Sequence, residues 1–124
     1  MKDRFFRTGL LIGEEALNKL KKCKVAVFGL GGVGSYATEA LARSGVGSMD
    51  IFDGDVVDIT NINRQIIALE STIGMPKAEV SEKRIKDINP NINVESHNCF
   101  FNKDNQHDFD FSKYDYVVDA IDMV

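Results

Sequence analysis

The stretch Lys24-Val25-Ala26-Val27-Phe28-Gly29-Leu30-Gly31-Gly32-Val33-Gly34-Ser35 decides the fold. An apolar, β-branched run, Lys24 to Phe28, reads as a buried strand and ends in four glycines over six residues. A helical pattern follows at once: Val33, Tyr36, Ala37, Ala40, Leu41 and Ser44 recur at helical spacing, and Gly45 is a natural stop. Strand, glycine turn and amphipathic helix together open a nucleotide-binding βαβ unit. Backbone without Cβ atoms can approach phosphate oxygens closely, and a helix N-terminus presents unpaired N–H groups and a positive dipole end. A helix packed tightly on a strand, with no ligand, would need some of the same glycines.

Working outward, Ser48 to Asp53 is a second strand that closes the crossover, and Asp53 stands 24 residues after Gly29. An acidic residue at that point accepts hydrogen bonds from ribose hydroxyls in dinucleotide-type folds. A turn aspartate within Asp53-Gly54-Asp55 is the alternative. Over Val56 to Glu70 the chain leaves the dehydrogenase pattern, with Asn61, Asn63, Arg64 and Gln65 crowded after the ribose corner. The arginine fork suits phosphate oxygens and the amides add donors; a polar turn capping Ile66 to Leu69 is the plainer reading.

Gly74-Met75-Pro76-Lys77 opens the next helix, with a stripe at Ala78, Ser81, Ile85 and Ile88 and an end at Asn89-Pro90. Lys77 in its first turn opposes the helix dipole, a cost offset if an anion binds there. Ile92 to His97 reads as a third strand. Asn98 to Lys113 is polar with four phenylalanines and is expected to hold a short helix, its aromatics serving core packing. Tyr114 to Asp122 reads as a fourth strand with Asp119 and Asp122 at its C-terminal end, the edge where open α/β sheets bind ligands. Before all this, Gly13 to Lys21 reads as a short helix within an N-terminal arm, residues 1–22, preceding a nucleotide-binding core of residues 23–124. Arg4 and Arg7 in the arm are candidates for contact with an anion or a second subunit. The expected class is therefore α/β, a Rossmann-like, doubly wound and mostly parallel sheet. Such a sheet normally continues past a fourth strand, so the 124 residues read as the N-terminal half of one domain.

Composition sets the limits. An apolar fraction of 44% and a charged fraction of 27% describe a soluble globular chain. A net charge of −4 gives no bulk attraction for nucleic acid, though a local basic patch is compatible with it. No apolar run approaches the roughly 20 residues of a membrane span, and Met1 to Arg7 lacks a secretory apolar core, so a bacterial or organellar cytoplasm is the expected compartment. Cys23 and Cys99 stand too far apart for a zinc knuckle, and His97 and His107 have no sequence neighbours suggesting a metal site.

If this topology holds, the glycine turn, Asp53, Arg64, Lys77 and Asp122 share one sheet edge. Two cations and a free carboxylate suit a triphosphate with a divalent metal better than a nicotinamide dinucleotide, which disfavours an NAD-dependent oxidoreductase. On the joint pattern of Gly-x-Gly-Gly-x-Gly, Asp53, Asn61-x-x-Arg64-Gln65, Lys77 and the closing aspartate, the chain resembles the ATP-dependent adenylyltransferases related to ubiquitin-activating enzymes, from Arg4 to Asp122. Within them, Arg4-Phe5, Asn61-Ile62-Asn63-Arg64-Gln65-Ile66 and Asp119-Ala120-Ile121-Asp122 look most like the tRNA threonylcarbamoyladenosine dehydratase branch.

The resemblance implies ATP as the nucleotide, with Gly29, Gly31, Gly32 and Gly34 lining it and Asp53 on the ribose. It implies Asn61, Arg64, Gln65 and Lys77 on the phosphates and Asp122 as the magnesium ligand. Arg64, Lys77, Asp122 and Arg7 would carry the catalysis, Arg7 (or Arg4) reaching the other subunit's site in a homodimer. The implied reaction is activation of a carboxylate by adenylation, closing the threonylcarbamoyl side chain at position 37 of a tRNA. The other branches imply a sulfur-carrier or ubiquitin-like carrier terminus as substrate, with a sulfur-transfer partner protein. A fragment that only binds nucleotide or dimerises is the third reading. Many members have Asp-Asn where this chain has Asp122-Met123, a mild argument against a carrier activator. Any zinc-binding or catalytic cysteine of the family would lie beyond Val124.

Overall fold

The computed structural model describes residues 2–102 and 104–122. Four parallel strands, β1 (Lys24–Phe28), β2 (Ser48–Phe52), β3 (Asn93–His97) and β4 (Tyr116–Asp119), form one sheet in the order β3-β2-β1-β4. β1 pairs with both β2 and β4, from Val25 opposite Met49 and Tyr116 to Phe28 opposite Phe52 and Asp119. The order runs outward from β1 in one direction and then resumes on its other side. This is the Rossmann-like arrangement, and the switch point lies between β1 and β4.

Strand alternation divides the core. Val25, Val27, Met49 and Ile51 face one side, where they meet Ala42, Ala78, Val80 and Ile85 of helices α2 (Gly34–Ser44) and α3 (Lys77–Ile88). Ala26, Phe28 and Phe52 face the other side, which is covered by Cys99, Phe101, Phe109 and Tyr114. The predicted short helix between β3 and β4 is replaced by two single 3₁₀ turns, Gln106–Asp108 and Phe111–Lys113. Stacked and edge-to-face rings take the helix's place: Phe28 on Phe52 at 4.4 Å, with Phe101 and Phe109 tilted or edge-on at 4.9 and 5.6 Å from Phe28.

Two helices differ from expectation. Only part of the stripe expected for α2 packs inward: Leu41 lies against the core, but the fully buried residues are Gly34, Ser35, Thr38 and Ala42, and Val33 and Tyr36 are exposed. Small residues win that face because the helix lies almost on the glycine turn; a Cβ at Gly34 would sit 1.6 Å from the Gly29 carbonyl oxygen. Helix α1 (Phe6–Lys22) is two helical stretches joined at Gly13, which adopts φ 86° and ψ 165°; the second matches the expected Gly13 to Lys21 helix, and the first, beginning at Phe6, is an addition to it. α3 begins and ends within a residue of its sequence signals, with Pro76 just before it and Asn89 just after.

Candidate nucleotide site

The C-terminal ends of β1, β2 and β4 open into a cavity of about 610 Å³. Its walls include Gly29, Gly31, Asp53, Asn61, Arg64, Gln65, Lys77 and Asp122, so eight of the expected residues converge from five chain segments. Gly32, Gly34 and Arg7 do not line it.

The glycines divide by role. Gly29 turns the chain out of β1 at φ +93°, and a Cβ there would lie 2.6 Å from the Ala120 carbonyl oxygen; it permits both a left-handed backbone and close approach of β4. Gly34 serves helix–strand contact, as described. Gly31 and Gly32 face the polar loop instead, against Gln65 at 3.4 Å and Arg64 at 3.7 Å from their virtual Cβ positions.

Asp53 leaves the end of β2 with both carboxylate oxygens engaged: one accepts from the Leu30 N–H and the other from the Asp55 N–H, each at 2.8 Å. The glycine turn therefore holds Asp53, and each oxygen keeps a lone pair for a ligand hydroxyl. The polar loop is built by a reciprocal cap in which Thr60 N–H donates to Asp58 and Asp58 N–H donates to Asn61 Oδ1 at 2.8 Å. Asn61 is buried, and its Nδ2 has no partner among the described residues. Arg64 is pinned by one nitrogen only, Nη1, which donates to the Thr60 carbonyl and Asn63 Oδ1 at 3.0 and 3.1 Å. The rest of the guanidinium fork is available to an anion. Gln65 is buried, with Oε1 unpartnered among the described residues.

Lys77 departs from its sequence reading in an instructive way. It is no surface residue tolerated against the dipole: the side chain is 7% exposed, and its nearest carboxylate, Asp55, lies at 4.0 Å and is largely exposed. The Lys77 backbone N–H donates to the Asp55 carbonyl, which fixes the start of α3 beneath the cavity. Asp122 is exposed on the opposite wall and makes no hydrogen bond or ion pair among the described residues. Met123, which carries the departure from the Asp-Asn pattern, lies outside the described residues. In the arm, Arg4 donates to Asn89 Oδ1 at 3.5 Å, whereas Arg7 is exposed and has no partner among the described residues.

The sequence reading missed the far wall, formed by Cys99, Phe100, Phe101 and Asn102. These aromatics do pack on the core, as expected, but they also bound the cavity. Their position just past β3, on the ligand-binding edge, was the available signal. Cys99 accordingly belongs to the cavity wall as well as the core, and burial pushes its thiol pKa up, away from thiolate reactivity. His97 also has neighbours that the sequence did not show: parallel pairing sets Asp50, Glu95 and His97 on one face with ligand atoms within 4.8 Å. Lys24 and Lys113, each 3.9 Å from Asp50, bring positive charge to that carboxylate. No described helix is long and apolar enough to cross a membrane.

Comparison with known proteins agrees with this geometry. Residues 6–124 match the model of the ThiF family. The chain is 49% identical over 124 residues to a tRNA threonylcarbamoyladenosine dehydratase of Bacillus subtilis, covering 100% of this chain and 49% of that protein. It is 37% identical over 115 residues to the adenylyltransferase and sulfurtransferase UBA4 of Candida glabrata, covering 93% of this chain and 26% of that protein. The crystal structure of the Escherichia coli tRNA N6-threonylcarbamoyladenosine dehydratase TcdA in complex with ATP superposes with a TM-score of 0.94 at 46% identity, over 98% of this chain and 50% of that one. The chain thus spans about half the length of the dehydratases it matches. With the glycine turn, Asp53 and the polar loop on one cavity, and with similarity running from Phe6 onward, the chain belongs to the ThiF family.

Proposed function

We propose that this chain forms the ATP-binding half of an enzyme that adenylates a carboxylate, and that its substrate is the threonylcarbamoyl side chain at position 37 of a tRNA. The observation that carries the reading is Lys77: a cation buried against a cavity, whose one ion pair among the described residues is a 4.0 Å contact with the largely exposed Asp55, calls for an anion. Arg64 faces the same space with most of its fork unused. The 46–49% identity to dehydratases, and the ATP complex of one of them, support the same conclusion.

In this reading Asp53 accepts from the ribose hydroxyls, and the backbone of Gly29 to Gly31 with Asn61 Nδ2 lies along the phosphates. Gln65 presents its amide to the phosphates beside Gly31. Arg64 and Lys77 stabilise charge as the substrate carboxylate oxygen attacks the α-phosphorus and pyrophosphate departs. The carbamoyl group then displaces AMP to close the ring. Asp122, an uncommitted oxygen donor on the cavity wall, fits a hard cation and would be the residue to hold magnesium there. Bound there, magnesium would supply positive charge to offset repulsion between the attacking carboxylate and the triphosphate. Arg7, the arm's uncommitted arginine, enters the neighbouring site of a homodimer.

Titration calorimetry with magnesium and ATP, set against NAD, tests the nucleotide. Micromolar ATP binding with no NAD heat is the expected result, and tight NAD binding without ATP binding removes the reading. A second reading, adenylation of a carrier-protein terminus for a sulfur-transfer partner, is supported by the UBA4 similarity. Pyrophosphate release from the full-length enzyme, assayed with modified tRNA against a carrier ending in Gly-Gly, separates the two.

A further inference from the structure

The wall formed by Cys99 to Asn102 belongs to a covering segment that joins β3 to β4 without a regular helix. Ring contacts hold it to the sheet, and Phe100 lies so close to Gly54 that a Cβ there would meet the ring at 2.4 Å. Ring contacts are weakly directional, so by themselves they would let the segment settle in several positions. One directional tie reaches the buried middle of the sheet. The Tyr114 hydroxyl donates to Asp50 Oδ2 at 2.6 Å, and Asp50 is 2% exposed in the middle of β2, flanked by β1 and β3. Among the described residues, the segment's other polar side-chain contacts to the strands run from Lys113 to that same carboxylate, at 3.9 Å, and from Asp115, whose carboxylate accepts from the Lys24 N–H at 2.7 Å where the chain enters β4. A buried carboxylate is costly unless it is paired and hydrogen-bonded. Here Tyr114, Lys24 and Lys113 supply the partners, and both lysines also lie over the Tyr114 ring, at 5.6 and 5.3 Å. Burial first, and then the bond to Asp50, push the Tyr114 pKa well up, so the hydroxyl remains a donor at all ordinary pH.

We infer that the Tyr114–Asp50 bond anchors the covering segment so that its aromatic wall receives the base of the nucleotide, making Tyr114 and Asp50 positioning residues for nucleotide binding. The inference rests on the ATP reading above. It predicts an effect confined to the base end, because the phosphate end is built from the glycine turn, the polar loop and α3. Tyr114→Phe keeps the ring packing and removes only the anchor. In calorimetry, its affinity for magnesium and ATP falls about tenfold, the scale for losing a hydrogen bond to a charged group. Its affinity for magnesium and inorganic tripolyphosphate, which has no base, stays at the wild-type value. Hydrogen exchange by mass spectrometry, without nucleotide, speeds up at Phe100 to Asn102 and Asp104 to Lys113 and is unchanged in β1 and α2. Equal losses for ATP and tripolyphosphate, or no loss for either, overturn the anchor. So does unchanged exchange of the segment, a readout that decides the matter even if the wild-type chain binds no ATP and the nucleotide reading itself falls.

Discussion

The Lys77 ammonium is buried 4.0 Å from the exposed carboxylate of Asp55, a separation too long for a hydrogen bond. With the phosphate role proposed for Lys77, stability and ligand binding conflict at this position. A buried cation with weak compensation costs the empty protein free energy, which an apolar residue of similar length recovers. Lys77→Met is expected to leave the thermal midpoint unchanged or raise it by about 2–4 °C. The same change lowers ATP affinity about thirtyfold, on the scale of a charge-assisted phosphate contact. Scanning calorimetry and titration on one sample check both signs, and a lowered midpoint would show that Lys77 contributes to folding.

Arg64 poses the opposite case. It is exposed, and its contacts are local ones to Thr60 and Asn63. Arg64→Ala should move stability by no more than about 0.5 kcal/mol, as exposed substitutions usually do. Pyrophosphate release by the full-length enzyme should drop about a hundredfold, the scale for removing one donor to developing charge. An unchanged release rate takes Arg64 out of the chemistry.

Two glycines of the opening turn separate by the same logic. A methyl group on Gly34 collides with the Gly29 carbonyl, whereas one on Gly32 meets Arg64 at ordinary contact distances of 3.7 to 3.9 Å. Gly34→Ala is expected to destabilise the fold by about 3 kcal/mol, since backbone rather than a flexible side chain must yield. Gly32→Ala is expected to fold normally and bind ATP more weakly. Denaturant midpoints of the two variants, measured side by side, check the contrast.

Glu39 and Arg84 clasp α2 to α3 through two hydrogen bonds, Nε and Nη2 each donating to a separate carboxylate oxygen. The Arg84 hydrogen bond is the main reason the Glu39 carboxyl is held below its ordinary value of 4.5, against the opposing effect of burial. A depressed carboxylate pKa adds stability that is fully present above the unfolded-state value and is lost as pH falls through the folded one. The wild-type chain should therefore lose stability below about pH 4.5 more steeply than Glu39→Gln does, and the two curves should run parallel from pH 6 to 8. Urea midpoints across that range give the comparison, and parallel acid limbs would contradict the role of this pair.

How much of this was legible beforehand follows from how local each signal is. β1, the glycine turn and the limits of α2 and α3 were readable because strand runs, glycines and Pro76 act on their immediate neighbours. The buried face of α2 was not, since contact with Gly29 favoured Gly34, Ser35 and Thr38 over Val33 and Tyr36, and only tertiary approach reveals that. Asp53, Asn61, Arg64 and Lys77 were identifiable as residue types in a pattern, but the burial of Lys77 was not. The aromatic wall at Phe100 and the pairing of Asp50 with Tyr114 join residues 46 and 64 positions apart in Gly54–Phe100 and Asp50–Tyr114, which no periodicity connects.

The arm supplies the last prediction. Arg4 is tied to Asn89 beside the C-terminus of α3, which leaves Arg7 as the arginine able to reach outward. Leu10 and Leu11, 71% and 88% exposed, follow it on the same helix and offer apolar surface for a second copy to cover. If Arg7 acts in the neighbouring subunit, activity depends on pairing rather than on the chain that bears it. Full-length Arg7→Ala should lose about a hundredfold in pyrophosphate release with little change in thermal midpoint. Mixing it with an Arg64→Ala subunit should restore activity, because one site of the mixed dimer then receives both an intact Arg64 and an intact Arg7. Recovery approaching one quarter of wild-type turnover is the expected ceiling, as about half the dimers are mixed and each has one complete site. No recovery on mixing, with dimers verified by sedimentation, would place Arg7 on its own subunit or outside the site altogether.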